Sequence, residues 1–422
     1  MRSSALFGWL HEAPANARRS LLAASLGWAL DAFDTLLYAL ILPAVMAALH
    51  LTKSSAGLLG SLTLIAAAAG GILLGLAADR YGRTRALMTS VLLYAVFTAA
   101  CGLAWSFASL ALFRILLGLG VGGEWATGAS LVAETWPATH RDKALALMQS
   151  AFALGYGLAA IVVFFVLPIA GWRGVFFVGL LPALLTFWIR RRIPEPAVWQ
   201  RAQRRPGFHS SFAQLFKLPL RRYTIALTFM NACCLFAWWG FNLWVPSYLS
   251  LPIAQGGIGF TPRTMTVLIV AMQIGMWFGY VSFGYLATAF GRRRVYVSFL
   301  LCAAALLAIY ASVRSPWLLV LLGPCLAFVA TGYFSGFAAV TAETYPDAIR
   351  STGQGFTYNV GRLASAAAPY AAGTLAQQRS FATAFHLDAA AFLLAAMLWL
   401  FIPSRPPAPA LELVIASPLN QG

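Results

Sequence analysis

Four ionisable residues interrupt otherwise apolar segments of this chain, and their types and spacing are those best suited to chemistry. Asp31 and Asp34 lie three residues apart in one segment, whereas Arg114 and Arg362 lie in two others. Acids at positions i and i+3 share one face of a helix. Because a charge in an apolar interior is costly without a partner of opposite charge, the pattern predicts buried carboxylate–guanidinium pairs.

The most direct pairing joins Asp34 to Arg114, which we expect at a similar depth in their helices. Asp34 would then alternate between an arginine-paired anion and a neutral acid, which is a proton-coupling device. Asp31 is a second candidate for the same role. The alternatives are that these acids brace neighbouring helices and that Arg114 reaches towards the nearer surface.

Arg362, near the middle of its segment, is a candidate for substrate binding, and so are Tyr358 and Asn359 just before it. A guanidinium facing a central cavity can hold a substrate carboxylate by two parallel hydrogen bonds. The alternative is a packing pair with an acid on a neighbouring helix. Seven other polar or aromatic residues are weaker substrate-binding candidates, namely Glu124, Gln149, Asn231, Trp238, Trp239, Asn242 and Gln273.

Long apolar segments must position these side chains. The 422 residues are 60% hydrophobic and only 10% charged, which is too little charge for the surface of a soluble domain. Segments of about 20 residues, long enough to cross a membrane, recur along the chain. We predict an all-α membrane protein with twelve spans, at 21–49, 56–78, 85–106, 107–130, 144–168, 171–190, 223–250, 264–288, 294–313, 316–340, 352–377 and 382–402.

The two halves of the chain are duplicated. The segment 75–85 recurs as 284–294, and the same interval separates Glu134 from Glu343. Two unrelated signatures that keep one interval predict two pseudo-symmetric six-helix bundles. The predicted organisation is a cytoplasmic N-terminus (1–20), a first bundle (21–190), a basic cytoplasmic linker (191–222), a second bundle (223–402) and a cytoplasmic tail (403–422).

The net charge of +17 is explained by topology rather than by nucleic-acid binding. Most of the 29 Lys and Arg fall in connections on the side of the membrane that holds both chain ends. This bias predicts that both termini are cytoplasmic in an inner (plasma) membrane protein, with lipids and no nucleic acid as partners. Since no metal cluster, nucleophile–base set or phosphate loop is found, we expect neither an enzyme nor a cofactor.

The repeated segments resemble signatures of the major facilitator superfamily, and the resemblance covers essentially the whole chain. Gly75-Leu-Ala-Ala-Asp79-Arg80-Tyr-Gly82-Arg83 is similar to the family's Gly-x-x-x-Asp-Arg-x-Gly-Arg loop, and the segment that begins at Arg114 to its Arg-x-x-x-Gly-x-Gly helix. The resemblance implies a cytoplasmic latch, whose second copy lacks the acid. The predicted latch and gate residues are Gly75, Asp79, Arg80, Gly82, Arg83, Glu134, Arg141, Gly291, Arg292, Glu343 and Arg350.

Two subgroups of that family share further stretches with this chain. The stretch Asp31-Ala-Phe-Asp34-Thr35 resembles aromatic acid:proton symporters, and Gly123-Glu124-Trp125 resembles sialic acid and lactate permeases. The resemblance implies proton-coupled symport of a small organic anion (a monocarboxylate, sialic acid or an aromatic acid) by alternating access, in a protein that functions as a monomer. A sugar porter, a drug or metabolite exporter and a non-transporting nutrient receptor of the same fold are the alternatives, and Arg362 favours an anion.

Overall fold

The protein is a bundle of long helices. The computed structural model describes residues 8–184, 213–218, 220–345 and 350–402, which contain no β-strand. The first half forms α1 (Trp9–Glu12), α2 (Ala15–Ala48), α3 (Lys53–Tyr81), α4 (Arg83–Cys101), α5 (Phe107–Thr135) and α6 (Ala138–Val178). The second half forms α7 (Leu220–Ser250), α8 (Pro262–Phe290), α9 (Arg292–Ser312), α10 (Pro316–Gly332), α11 (Phe334–Thr344), α12 (Arg350–Ser365), α13 (Ala368–Gln378) and α14 (Phe381–Leu398). The all-α prediction is confirmed.

Each of the twelve predicted spans overlaps a helix, although ten helices of the described residues are long and apolar enough by themselves to cross a membrane. The difference has two causes. The fifth and sixth predicted spans are joined in α6 across Gly171, where φ is 64° and the helix kinks. The eleventh is divided into α12 and α13. The predicted N-terminal segment before residue 8, the linker at 191–212 and 219, and the tail 403–422 lie outside the described residues.

The two copies of the repeated segment form the same turn. Gly82 separates α3 from α4 with φ of 116°, and Gly291 separates α8 from α9 with φ of 88°. These φ values strain residues that carry a Cβ atom but not glycine. The turn is therefore a physical reason for a glycine at both repeat positions.

Two helices of the second half are interrupted at the depth of the central cavity described below. Between α12 and α13, Pro369 lies in the first turn of α13, where its missing N–H costs nothing. Between α10 and α11, the Tyr296 hydroxyl donates a 2.6 Å hydrogen bond to the Tyr333 carbonyl. In a continuous helix that carbonyl would accept from a backbone N–H, so the hydroxyl competes with the helical hydrogen bond. Arg362 and Phe334, which both line the cavity, therefore lie next to breaks in their helices.

One end of the bundle is sealed by contacts between α3 and the second half. The Lys53 ammonium donates to the carbonyls of Gln255 (2.6 Å) and Ala376 (3.3 Å) and lies 4.8 Å from the centre of the Phe381 ring. The hydroxyls of Ser54 and Thr374 lie 3.0 Å apart. These bonds join α3 to α13, so we refer to this end as the α3/α13 seal.

The backbones of α3 and α13 touch at this seal because glycine lies at the contact. A Cβ atom added to Gly57 would lie 2.3 Å from the Pro369 carbonyl oxygen, and one added to Gly373 would lie 2.6 Å from the Lys53 carbonyl oxygen. Both distances are far below a van der Waals contact, so even alanine would force the helices apart.

We predict that Gly57→Ala opens the α3/α13 seal. A cysteine pair at Ser54 and Thr374, in a background without the native cysteines, should cross-link under mild oxidation because the native hydroxyls lie 3.0 Å apart. Adding Gly57→Ala should lower the cross-linked fraction severalfold. Gly284→Ala is the control, because no atom lies within 4 Å of its added Cβ. Equal cross-linking in both variants would contradict a tight backbone contact at Gly57.

Candidate functional site

A small cavity lies between the two halves of the bundle. Its volume is about 40 Å³, which is room for one or two water molecules but not for an organic substrate. The first half contributes Trp28, Asp31, Thr35, Val121, Gln149 and Phe152, and the second half contributes Leu235, Trp238, Trp239, Tyr280, Phe334, Tyr358 and Arg362. Both halves thus share a site that is narrow in the observed conformation.

Arg362 supplies the positive charge of the cavity, as the sequence predicts. It is only 3% exposed, and its Cζ atom lies 5.9 Å from the centre of the Tyr358 ring, within reach of a cation–π interaction. Within the described residues the Nε atom has no hydrogen-bond partner, and no carboxylate oxygen lies within 4.0 Å of the guanidinium. A buried guanidinium in this state can accept an anion without first giving up a short ion pair.

Asp31 supplies the opposite charge from the other half of the bundle. Its side chain is 2% exposed and accepts a 3.0 Å hydrogen bond from the Thr35 hydroxyl one turn later in α2. Arg362 is the charged group that attracts Asp31 across the cavity, although the two do not form a direct salt bridge. The cavity therefore contains a separated pair, with space between an acid and a base.

Aromatic rings form most of the remaining wall. The Trp28 and Phe152 rings lie 5.1 Å apart, Phe152 and Trp238 lie 5.4 Å apart, and Trp238 and Trp239 lie 4.7 Å apart between ring centres. The indole N–H groups of Trp28 and Trp238 are buried without a hydrogen-bond partner among the described residues. The walls thus offer flat apolar faces together with two unused donors.

Asp34 does not lie in this cavity. It is fully buried inside the first half, where its carboxylate and the Thr98 side chain both lie against Gly179 at the end of α6. Neither carboxylate oxygen has a hydrogen-bond partner among the described residues. Although Asp31 and Asp34 are close on the helix, they face different surroundings, since Asp31 meets the second half and Asp34 meets α4 and α6.

Arg114 does not pair with Asp34 either, so the expected geometry of the coupling pair is not observed in this structure. The Nε atom of Arg114 donates to the Thr63 hydroxyl at 2.9 Å, and the guanidinium carbon lies 3.9 Å from the centre of the Tyr38 ring. Tyr38 is one turn beyond Asp34 on α2. A cation–π contact and one hydrogen bond thus hold this buried cation, whose Nη1 atom has no partner in the described part of the chain.

The other predicted substrate-binding residues divide into two groups. Trp238, Trp239, Tyr358 and Gln149 line the cavity, and the Gln149 side chain hydrogen-bonds to the Tyr280 hydroxyl of the other half. Glu124, Asn231, Asn242, Gln273 and Asn359 are not among the lining residues.

Each residue of the second group has a local contact. Asn231 donates towards the Thr357 and Tyr358 carbonyls, whereas the amides of Asn242, Gln273 and Asn359 donate to carbonyls one turn earlier in their own helices. The Glu124 carboxylate lies against Gly27 of α2 and interacts electrostatically with Asp31.

The predicted latch lies at the end of the bundle opposite the α3/α13 seal. The side chains of Asp79, Arg80, Arg83, Glu134, Glu343 and Arg350 lie outside the described residues. Arg141 is exposed and Arg292 is half-buried. No atom lies within 4 Å of a Cβ added to Gly75, so a close helix approach is not the role of this glycine in the observed conformation.

Sequence reasoning missed Trp28, Phe152, Tyr280 and Phe334. Nothing in the local sequence separates Phe152, Tyr280 and Phe334 from rings that face the lipid or the core. For Trp28 the sequence did contain a signal. Trp28, Asp31 and Thr35 follow at helical spacing (i, i+3, i+7) and therefore lie on one face of α2.

Comparison with known proteins agrees with this architecture. The family model of the Major Facilitator Superfamily matches residues 24–252 and 248–418. The chain is 32% identical over 390 residues to a cis,cis-muconate transport protein of Acinetobacter baylyi, covering 90% of this chain and 92% of that protein. It is 31% identical over 364 residues to a sialic acid transporter of Escherichia coli, covering 86% and 88%. The crystal structure of a D-xylose–proton symporter has the same fold, with a TM-score of 0.73 at 20% identity and coverage of 92% and 99%.

We predict that the free energies of unfolding distinguish the two candidate pairs. Asp34→Asn and Arg114→Gln should be additive within about 0.5 kcal/mol, because the side chains do not touch. Asp31→Asn and Arg362→Gln should deviate from additivity by roughly 1 kcal/mol, because each charge is the other's counterion. Equilibrium unfolding of the detergent-solubilised single and double variants gives both values. A larger coupling for Asp34 with Arg114 would show that these two residues pair.

Proposed function

The chain belongs to the Major Facilitator Superfamily of membrane transporters, and we propose that it imports a small organic anion together with protons. The observation that carries the proposal is Arg362, a buried guanidinium that forms no ion pair with the described residues and lies in a cavity shared by the two halves. A substrate carboxylate that accepts two hydrogen bonds from Arg362 would supply the short ion pair that Arg362 does not form with Asp31. Two relatives at about a third identity are named for carboxylic acids, muconate and sialic acid, which supports an anionic substrate.

The cavity wall favours a flat substrate within that class. Trp28, Phe152 and Trp238 present ring faces and edges around Arg362, and such surfaces suit aromatic or conjugated acids better than a puckered sugar ring. The unused indole N–H groups of Trp28 and Trp238 would donate to a second oxygen of the substrate. We therefore place aromatic and conjugated carboxylic acids ahead of sialic acid and of neutral sugars.

Charge balance assigns Asp31 a direct part in proton coupling. When no substrate is present, the negative charge of Asp31 balances the positive charge of Arg362 across the cavity, and the cavity is close to neutral. A bound substrate carboxylate would add a second negative charge beside one buried cation, which is costly at a buried site. Protonation of Asp31 removes that excess, so substrate and proton bind together. Asp34 and Arg114 remain candidates for the same coupling inside the first half.

The proposed cycle is alternating access about the shared cavity. In the observed conformation the α3/α13 seal closes one end of the bundle. The cavity, at about 40 Å³, is too small for the substrate and must widen to bind it. Opening the seal would expose Arg362 from that end. When the seal is closed, the opposite end, where the predicted latch lies, would open instead.

We propose that the seal faces outward and that both termini are cytoplasmic, in an inner (plasma) membrane protein. The support is the concentration of Lys and Arg in the connections at the opposite end of the bundle. The two six-helix bundles, joined by the basic linker, would rock as units, and one chain contains every residue of the shared cavity. A monomer is therefore sufficient for transport.

Transport by reconstituted vesicles tests the substrate class. Vesicles that enclose a pH dye are challenged with cis,cis-muconate, 4-hydroxybenzoate, sialic acid and xylose in turn. Proton influx should be fastest with the two planar acids. Arg362→Gln should raise the apparent KM for these acids at least about tenfold, the effect of losing one charge-assisted bond. Arg263→Gln, at an exposed arginine outside the cavity, is the matched control. Influx with xylose alone would refute an anion site.

Asp31→Asn tests the coupling. An amide has the shape of the protonated acid but cannot release a proton, so the variant should exchange substrate across the membrane without accumulating it. Uptake of labelled substrate against its gradient should be lost, whereas counterflow should continue at a measurable rate. If Asp31→Asn accumulates substrate like the unmodified protein, the coupling carboxylate lies elsewhere, and Asp34→Asn is the next variant to measure.

A further inference from the structure

Asp388 is a buried acid that the proposed transport cycle does not use. It lies in α14 and is fully buried, and neither of its carboxyl oxygens has a hydrogen-bond partner among the described residues. The helices that pack most closely on α14 are α7, α9 and α13, and every residue of these helices is among those that the structure describes. The surroundings of this carboxyl are therefore known.

No described charge balances Asp388. It forms no salt bridge with the described residues, and no described charged group interacts with it electrostatically. The arginines of α7 and α9 lie in the first turn of each helix, about five turns along α7 from the point where Asp388 packs. Arg379 follows α13, and His386 is exposed on α14 itself. The other titratable residues of the three helices are uncharged tyrosines and cysteines, namely Tyr223, Cys233, Cys234, Tyr248, Tyr296, Cys302, Tyr310 and Tyr370.

The carboxyl group packs directly against the backbone of α7. A Cβ atom added to Gly240 would overlap both carboxyl oxygens of Asp388, so the acid fills the space that a side chain on α7 would occupy. A neutral carboxyl group can lie in such a contact, whereas a carboxylate needs water or a cation beside it. Asp388 therefore holds a proton in the observed conformation.

The turn of α7 that begins at Gly240 also supports the α3/α13 seal. One turn after Gly240, the Trp244 indole donates a 2.9 Å hydrogen bond to the Pro369 carbonyl, which is the carbonyl that faces Gly57 of α3. The Trp244 ring also packs on Gly373, whose added Cβ would lie 2.5 Å from its Cζ2 atom. One turn of α7 thus contacts both the Asp388 carboxyl and the seal.

Helix α14 makes a second connection to the seal. Phe381, Phe385 and Asp388 follow at helical spacing and lie on one face of α14. The Phe381 ring lies 4.8 Å from the Lys53 ammonium at the seal, and its centre is 5.9 Å from that of Trp244. The Phe385 ring packs on α7 one turn nearer to Asp388. Aromatic rings therefore fill the path from the seal to the carboxyl.

We propose that Asp388 is a proton-binding site of the second half, occupied while the α3/α13 seal is closed and emptied when the seal opens. Opening would part the rings of Phe381 and Trp244 and admit water towards the carboxyl, which could then ionise. Because the closed state binds this proton more tightly, low pH favours closure and high pH favours opening. The site rests on the proposed alternating-access cycle, in which the seal opens, but not on the identity of the substrate.

The distance between two spin labels on the full-length protein in lipid nanodiscs tests this site. Leu103, between α4 and α5, and Ile253, between α7 and α8, are exposed at the seal end of opposite halves, so cysteines there can carry the labels in a background without the native cysteines. The longer, open distance should increase from about pH 5 to about pH 9, the range in which a buried carboxyl group titrates. The ratio of open to closed protein should change by up to about tenfold per pH unit, the limit for one linked proton.

Asp388→Asn has the shape of the neutral acid and should stay closed over the same pH range. His386→Gln is the matched control, because it removes an exposed titratable side chain two residues away, and it should keep the pH dependence. Unchanged pH dependence in Asp388→Asn, or an equal loss in His386→Gln, would overturn the site. If Asp388→Asn does not fold, Asp388→Ser provides the measurement, because its hydroxyl can donate to a carbonyl of its own helix.

Gly57→Ala separates this site from the transport cycle, because it should open the seal without changing a titratable group. A longer distance in Gly57→Ala, but none at high pH in the unmodified protein, would show that Asp388 is not linked to the seal. If neither condition produces the longer distance, the alternating-access cycle is refuted together with the site.

Discussion

The central cavity depends on how one buried guanidinium is neutralised. Arg362 lies buried between the two halves, and Asp31 on the other half is the acid that interacts with its charge across the cavity. Burying an ion without a partner costs several kcal/mol, whereas a close pair would recover much of that cost. The Asp31 carboxylate attracts Arg362 but forms no salt bridge with it, so it does not block the guanidinium. This arrangement leaves the guanidinium available to a third group, and the proposed coupling of substrate to proton follows from it.

Close packing makes the closed state specific. At the α3/α13 seal, glycines let two backbones approach to a distance that any side chain would prevent, and Lys53 then reaches carbonyl groups of the other half. The ammonium is satisfied by carbonyls and a ring rather than by a carboxylate. Since neutral acceptors bind a cation less strongly than an acid does, these bonds can be exchanged for water when the seal opens.

The two halves share a scaffold but not its charges. The glycine turns at Gly82 and Gly291 are equivalent, whereas Arg114 and Arg362 have no charged counterpart in the other copy. Each half also buries an acid against a glycine: Asp34 lies against Gly179 in the first half, and Asp388, which is the repeat counterpart of Gly179, lies against Gly240 in the second. Both acids are fully buried, and their oxygens have no hydrogen-bond partner among the described residues. The two halves thus share their backbone turns and differ in where their buried charged groups lie.

The sequence by itself determined the all-helical membrane fold, the twelve spans and the presence of ionisable residues at membrane depth, because length, hydropathy and repeat spacing are properties of the chain. It also identified Arg362 as the cation of the cavity. Only the tertiary structure decided which side chains meet. Asp31 and Asp34 lie on one face of α2, yet the rotation of that helix against its neighbours turns Asp31 towards Arg362 and Asp34 towards Gly179. Arg114 meets Tyr38, one turn further on, for the same reason. Helical periodicity fixes angles within a helix, but the orientation of each helix comes from packing with all the others.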